Sequence, residues 1–180
     1  MGLLFILITN NINLINMKNL LLILLISLTA CNQTFENKNE ADLKFPYEPT
    51  YQKEWKTGSQ ENILIVQNLH KDIMDGNFKK AYSHFSEDVT VWHGDGTTTE
   101  GLADFKKLYD PVFKSANIRD YSVGVNISVV SEEGHEWVLL WDTASMDGVN
   151  GEETHDYMES IRIENGKIIA MNQFTKAVKD

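Results

Sequence analysis

His93, Glu159 and Asp142 are the side chains of this 180-residue chain best placed to do chemistry. Each stands in a run whose alternate members are apolar, and alternation puts every second side chain of a strand on one face. Val89, Val91 and His93 form one such line. Tyr157, Glu159, Ile161 and Ile163 form another, with Asp156, Met158, Ser160 and Arg162 on the opposite face. Asp142 interrupts Trp137-Val138-Leu139-Leu140-Trp141 and shares its face with Val138, Leu140, Ala144 and Met146. A carboxyl on an apolar face is desolvated, which raises its pKa and suits it to acid catalysis or to anchoring a polar group. A histidine accepts a proton near neutrality without tuning. The spacing predicts a pocket edged by His93 and Glu159, with Asp142 as a further polar group. Plainer outcomes stay open: a strand-end histidine bonded to the glycine turn, a glutamate paired with a buried donor or turned out by a bulge, an aspartate facing water or a partner. Trp92, Trp137 and Trp141 read as packing or interface residues before ligand platforms.

Other chemistries find little support. His70, His84, His93, His135 and His155 show neither His-x-His nor His-Glu-x-x-His spacing, so they read as scattered surface histidines and no metal is expected. Gly94-x-Gly96 lacks the downstream glycine and lysine of a phosphate loop, and no Gly-x-Ser-x-Gly elbow occurs. Cys31 is the only cysteine, so thiol catalysis and disulfides are excluded from the rest of the chain. No cofactor is expected. A net charge of −10 disfavours nucleic acid as a partner.

The elements that must position these residues are legible in outline. Ser59 can cap a helix running to about Asp75, with Val66, Leu69 and Ile73 as its apolar stripe and Gly76 as its end. Phe78, Ala81, Tyr82 and Phe85 suggest a second helix that ends in the acidic corner before a strand at Val89–His93. Thr97–Glu100 could pair back on that strand. Leu102, Phe105, Leu108, Tyr109 and Phe113 mark a third helix, kinked or ended near Pro111. Beyond it the period is two: Tyr121, Val123, Val125, Ile127 and Val129 alternate, and two further strands lead to an Asn165-Gly166 hairpin signal and a last strand, Lys167–Thr175. Helices followed by a meander of long strands predict an α+β domain.

The N-terminus has a different character. Met17-Lys18-Asn19 supplies a positive start, Leu20 to Leu28 an apolar run, and Leu28-Thr29-Ala30-Cys31 a small-residue site before cysteine. The run is about ten residues, too short for a membrane span, and has the layout of a secretory signal. It resembles a bacterial lipoprotein signal, which implies residues 1–30 as signal peptide with a true start at Met17, and lipid attachment at Cys31. The implied location is the cell envelope, at the outer membrane facing the periplasm, with membrane contact through the anchor only. Residues 31–53, polar and acidic with Pro46 and Pro49, read as a tether, and 54–180 as the folded domain.

Asp75-Gly76-Asn77-Phe78, Phe85-Ser86-Glu87-Asp88-Val89 and Ile161-Arg162-Ile163-Glu164-Asn165-Gly166-Lys167-Ile168, in this order and spacing, resemble the nuclear transport factor 2-like superfamily, which includes ketosteroid isomerases, scytalone dehydratase and SnoaL-like polyketide cyclases. The resemblance spans about residues 60–175. It implies a cone-shaped, curved antiparallel sheet with about three N-terminal helices packed on its concave face, around an apolar pocket. Many members are dimers, so a homodimer is open to this chain. Carried onto the isomerase pattern, His93 falls where the general-base carboxylate stands and Glu159 where a protonated aspartic acid donates to the substrate oxygen. Leu69 falls where an oxyanion tyrosine stands. Loss of that donor costs on the order of a hundredfold in rate, so steroid isomerisation is not expected. Leu69, Val91, Tyr157, Ile161 and Met171 are expected to line the pocket.

Together these readings predict a domain that binds a small, mainly apolar organic ligand; whether it is an enzyme stays open, and if it is, cofactor-free isomerisation, cyclisation or dehydration would be its chemistry. His93 would remove a proton beside a carbonyl while Glu159 stabilises the oxyanion. The competing reading is a non-catalytic module associating through the open sheet face. Exposed Trp92 or Trp141 would favour association; a closed pocket holding both His93 and Glu159 would favour the ligand.

Overall fold

The computed structural model describes residues 46–52, 54–148 and 151–178. The apolar leader, Cys31 and the tether up to residue 45 lie outside them. Among the described residues no helix is long and apolar enough to cross a membrane. The compact unit begins at Glu48, earlier than the expected residue 54. Tyr51 and Gln52, read from the sequence as tether, bind the domain: the Tyr51 hydroxyl lies 3.0 Å from His135 Nδ1 and the Gln52 amide donates to Glu133 at 2.9 Å.

In chain order the elements are β1 (Trp55–Thr57), α1 (Gln60–Met74), α2 (Phe78–Tyr82), β2 (Phe85–His93), β3 (Thr98–Glu100), α3 (Leu102–Ser115), β4 (Ile118–Ser131), β5 (Glu136–Gly148), β6 (Gly151–Glu164) and β7 (Lys167–Ala177). The strands form one curled sheet ordered β1-β4-β5-β6-β7-β2-β3. Neighbours run antiparallel except β2 and β7, which are parallel with Val91 opposite Met171. The fold is α+β, three helices on one face of the sheet, as the sequence implied.

Local chemistry accounts for most boundaries. Ser59 accepts from the Glu61 amide and caps α1. Asn165 and Gly166 both have positive φ, the backbone of a type I′ hairpin between β6 and β7. Gly101, at φ 82°, turns the chain from β3 into α3. Three expectations are corrected. Phe85 opens β2 instead of closing the second helix, because that helix stops at Tyr82. The third helix passes through Pro111 to Ser115. The apolar alternation of β4 does not build one face: a bulge at Gly124 sets Val123 opposite Asp142 but Val125 opposite Trp141. Tyr121 and Val123 therefore face the helices, while Val125, Ile127 and Val129 join the outer face.

The core lies between helices and sheet: Val66 and Leu69 from α1, Val89 and Val91 from β2, Phe105 from α3, Val138 and Leu140 from β5, Ile161 and Ile163 from β6. The outer face of the sheet is different. Trp92, Ile127, Leu139, Trp141, Met158 and Phe174 are exposed on it.

Candidate active site

Under the helices the sheet leaves a cavity of about 310 Å³, walled by α1, α3 and strands β4 to β7. That volume lies at the small end of the range for small-molecule sites. Its walls are mostly apolar: Leu69, Ile73, Phe85, Phe105, Phe113, Ile118 and Met171 among others. Into it project His70, Tyr109, Tyr121, Asp142, His155, Tyr157, Glu159 and Gln173.

The polar centre is built from one helix and four adjacent strands. His70 comes from α1, where the i+4 spacing from Val66 puts it on the apolar stripe. Its Nδ1–H donates to the Val66 carbonyl at 2.9 Å, which leaves Nε2 for the carboxyls. Nε2 lies 3.2 Å from Glu159 Oε2 and 3.9 Å from Asp142 Oδ2. Sheet register sets these carboxyls side by side: Asp142 is opposite Tyr157, one alternation along from Leu140 opposite Glu159. Glu159 is in turn opposite Gln173, whose amide donates to Glu159 Oε1 at 2.6 Å. The His70 ring stacks on Tyr121, centroids 5.4 Å apart. Glu159 is 3 % exposed and Asp142 5 %, so neither carboxyl can rely on water.

Electrostatics follow from that burial. Burial opposes charge on His70, but Glu159, the Val66 carbonyl and Asp142 together outweigh it and raise the imidazole to about 9. The ring is thus cationic at neutral pH and faces the two carboxyls that hold it. Burial lifts Asp142 to about 6, helped by Glu159 and opposed by His70 and Tyr121. Burial and the Asp142 carboxylate push the Tyr121 hydroxyl above its ordinary range, so it stays a donor. It lies beside Asp142. Among the described residues Tyr121 Oη, Asp142 Oδ1 and His155 Nδ1 are buried without a well-aligned hydrogen-bond partner, whereas Glu159 Oε2 faces His70 Nε2. Buried polar atoms are nearly always paired, so these three are exceptions gathered on the wall of one cavity. Among the described residues no cluster of three or more acidic, histidine or cysteine side chains is arranged to hold a metal ion.

The structure brings together Leu69, Asp142, Tyr157, Glu159 and Met171 of the residues expected from sequence. Val91 and Ile161 are not on the cavity wall; both are fully buried one layer deeper, in the core. His93 is not on it either. Its Nε2 lies 2.8 Å from Thr99 Oγ1 and its Nδ1 3.2 Å from the Tyr109 hydroxyl, and Tyr109 takes its place on the wall. Sequence reasoning missed His70 by grouping it with surface histidines, although its spacing from Val66 and Ile73 put it on the buried stripe of α1. It also missed Tyr109, Tyr121 and Gln173.

Comparison with known proteins places this architecture. Many solved structures share the fold, among them the following three. One is an LEH-like epoxide hydrolase from M. tuberculosis, 11% identical, covering 66% of this chain and 84% of that one, with a TM-score of 0.54. Another is SalBIII, an epoxide hydrolase/cyclase-like enzyme with a role in pyran ring formation in the polyether salinomycin: 18% identical, coverage 65% and 92%, TM-score 0.56. The third is an NTF2-like protein of unknown function from Burkholderia pseudomallei: 17% identical, coverage 66% and 92%, TM-score 0.52. At such identities the likeness is one of fold. No curated protein matches the sequence. Residues 66–171, from the buried stripe of α1 to the cavity face of β7, match the family model of the SnoaL-like domain. The chain belongs to the SnoaL-like domain family.

Proposed function

We propose that the domain binds a small, mainly apolar organic molecule bearing a carbonyl or epoxide oxygen and acts on it by cofactor-free proton transfer. The observation that carries this is the unpartnered Asp142 Oδ1 beside the unpartnered Tyr121 hydroxyl in an apolar cavity. A base works best when its pKa lies near the working pH, and Asp142, at about 6, meets that condition. Asp142 takes a proton from the carbon beside a carbonyl, or from a water that attacks an epoxide carbon. The Tyr121 hydroxyl donates to the oxygen that gains charge. His70, 3.9 Å from Asp142, offsets its charge, while Glu159, paired with His70, acts with burial to keep the Asp142 pKa raised. Base and donor are thus reassigned from His93 and Glu159 to Asp142 and Tyr121. Proteins of the same fold described as epoxide hydrolase and epoxide hydrolase/cyclase-like support the choice of substrate oxygen.

The test is exchange of the α-protons of acetophenone in D₂O, and diol formation from styrene oxide, both followed by NMR. One of the two reactions is expected to exceed the buffer rate, and Asp142→Asn to lower it by roughly a hundredfold or more. An Asp142→Asn protein as active as the native one would overturn the reading.

A second reading, association, rests on the outer sheet face. Trp141, Met158 and Phe174 lie in register across β5, β6 and β7 and are each about half exposed. An apolar patch of this kind marks an interaction surface. Association of two copies there predicts a concentration-dependent mass in sedimentation that Trp141→Ser with Met158→Ser abolishes. The lipid anchor at Cys31 is proposed from the sequence of residues 17–31, and mass spectrometry of the N-terminal peptide from cells tests it.

A further inference from the structure

Tyr109 and His93 take no part in the proton transfer described above, yet they form a second polar feature of the same cavity. Tyr109 enters from α3 between Phe105 and Phe113, its ring stacked on both at centroid distances of 4.5 and 5.3 Å. Stacked on both sides, the ring holds its hydroxyl in one place. Burial foremost, then Glu159, Asp95 and Tyr157, push that hydroxyl up to about 12, so it keeps its proton across the neutral range. Behind it stand His93, 3.2 Å away, and Thr99, 2.8 Å beyond the far ring nitrogen.

A neutral imidazole has one donor and one acceptor, and hydroxyls do either, so this line has two polarities. In one, Thr99 donates to His93 Nε2, His93 Nδ1–H donates to the Tyr109 oxygen, and the phenol proton is free for the cavity. In the other, Tyr109 donates to Nδ1, His93 Nε2–H donates to Thr99, and the Tyr109 oxygen is free to accept. Phenylalanine at 109 would pack as well, and valine at 99 would fill as well; neither could take part in such a line. The hydroxyls and the ring nitrogens are thus unexplained by packing.

We propose that Tyr109 is a second ligand-contacting group of the cavity, with its donor or acceptor character set by the tautomer of His93, and that the ligand therefore carries two separated oxygens, as hydroxy ketones do. The inference rests on the reading of the cavity as a ligand site. One oxygen accepts from Tyr121, with Asp142 beside the carbon or water it deprotonates; the other meets Tyr109. His93 is a positioning residue, oriented by Thr99.

The probes are acetophenone and 4-hydroxyacetophenone, titrated into the domain and read by NMR. The hydroxylated probe is expected to bind roughly tenfold more tightly, the scale of one added hydrogen bond in a dry site. Tyr109→Phe brings that ratio to about one, while Tyr121→Phe weakens both probes. In the native protein 4-hydroxyacetophenone moves the ¹⁵N shifts of the His93 ring toward one tautomer, and acetophenone does not. A purely structural Tyr109–His93 bond would leave those shifts unmoved. Equal affinity of the two probes, or a ratio that survives Tyr109→Phe, overturns this inference and leaves the ligand site standing. No binding of either probe overturns both.

Discussion

His70 shows how a single residue can organise charge in a dry site. Its imidazole is raised to about 9 against the pull of burial, chiefly by Glu159, to which it is joined at 3.2 Å. Glu159→Gln removes that partner and leaves burial unopposed except by the weaker groups. The His70 titration, followed by the ring proton in NMR, is expected to fall from about 9 to below the ordinary histidine value of 6.5. Asp142→Asn removes a smaller contribution and moves the titration less. If Glu159→Gln leaves His70 near 9, the ion pair does not hold the site together. The same substitution leaves the Gln173 amide facing another amide, whose oxygen can still accept its bond, so the strands are expected to keep their register.

At the scale of elements, close approach and register decide what could be read ahead. Gly58 joins β1 to α1 where the chain lies against β4: its N–H donates to the Ser128 carbonyl at 2.8 Å, and a Cβ there would stand 2.9 Å from the Val129 amide nitrogen. Gly58→Ala must push β1 off the edge of β4. The expected cost is on the order of 1–3 kcal/mol, seen as a lower urea midpoint with fast amide exchange confined to residues 55–58. Helices, hairpins and the apolar face of β6 were legible because caps, Asn165-Gly166 and strict alternation act locally. Bulges were not. Counting back from the Asn165-Gly166 turn puts Asn172 opposite Glu159, but an irregularity at Arg162 and Ile163 moves Gln173 there instead. Gly124 does the same to β4, which is why Tyr121 could not be placed on the cavity wall by period alone. Glu159 and Asp142 could be found because each breaks an apolar line; His70 lies on such a line in a helix, where histidine is the least conspicuous polar residue. His93 was placed on the correct face of β2, and only the packing of α3, which no local pattern encodes, put Tyr109 in front of it.

For the molecule as a whole, the buried charges tie stability to pH. Folded His70 keeps its proton to about 9, while an unfolded histidine releases it near 6.5. Its contribution is complete below 6.5 and is lost as pH rises through 9. Asp142 acts with the same sign at lower pH: protonated to about 6 in the fold and only to 3.8 outside it, it stabilises below 3.8 and this is lost by 6. Urea unfolding of native protein and His70→Gln should therefore show a stability difference that shrinks by on the order of 2–3 kcal/mol between pH 6 and 9.5. A constant difference would mean the proton on His70 is held no better in the fold than out of it. The parallel seam between β2 and β7 has a consequence of another kind. Most neighbouring pairs zip from a nearby turn, but β1 with β4 and β2 with β7 join distant parts of the chain, and Val91 meets Met171 only after the whole of α3 and three long strands have found their places. Contacts between distant parts of a chain are slow to form because loop closure comes before any reward. The two sides of this seam carry Phe85, Met171 and Gln173, all on the cavity wall. The cavity wall is therefore expected to close late in folding, and a chain cut short of residue 171 lacks Met171, Gln173 and Thr175 from it.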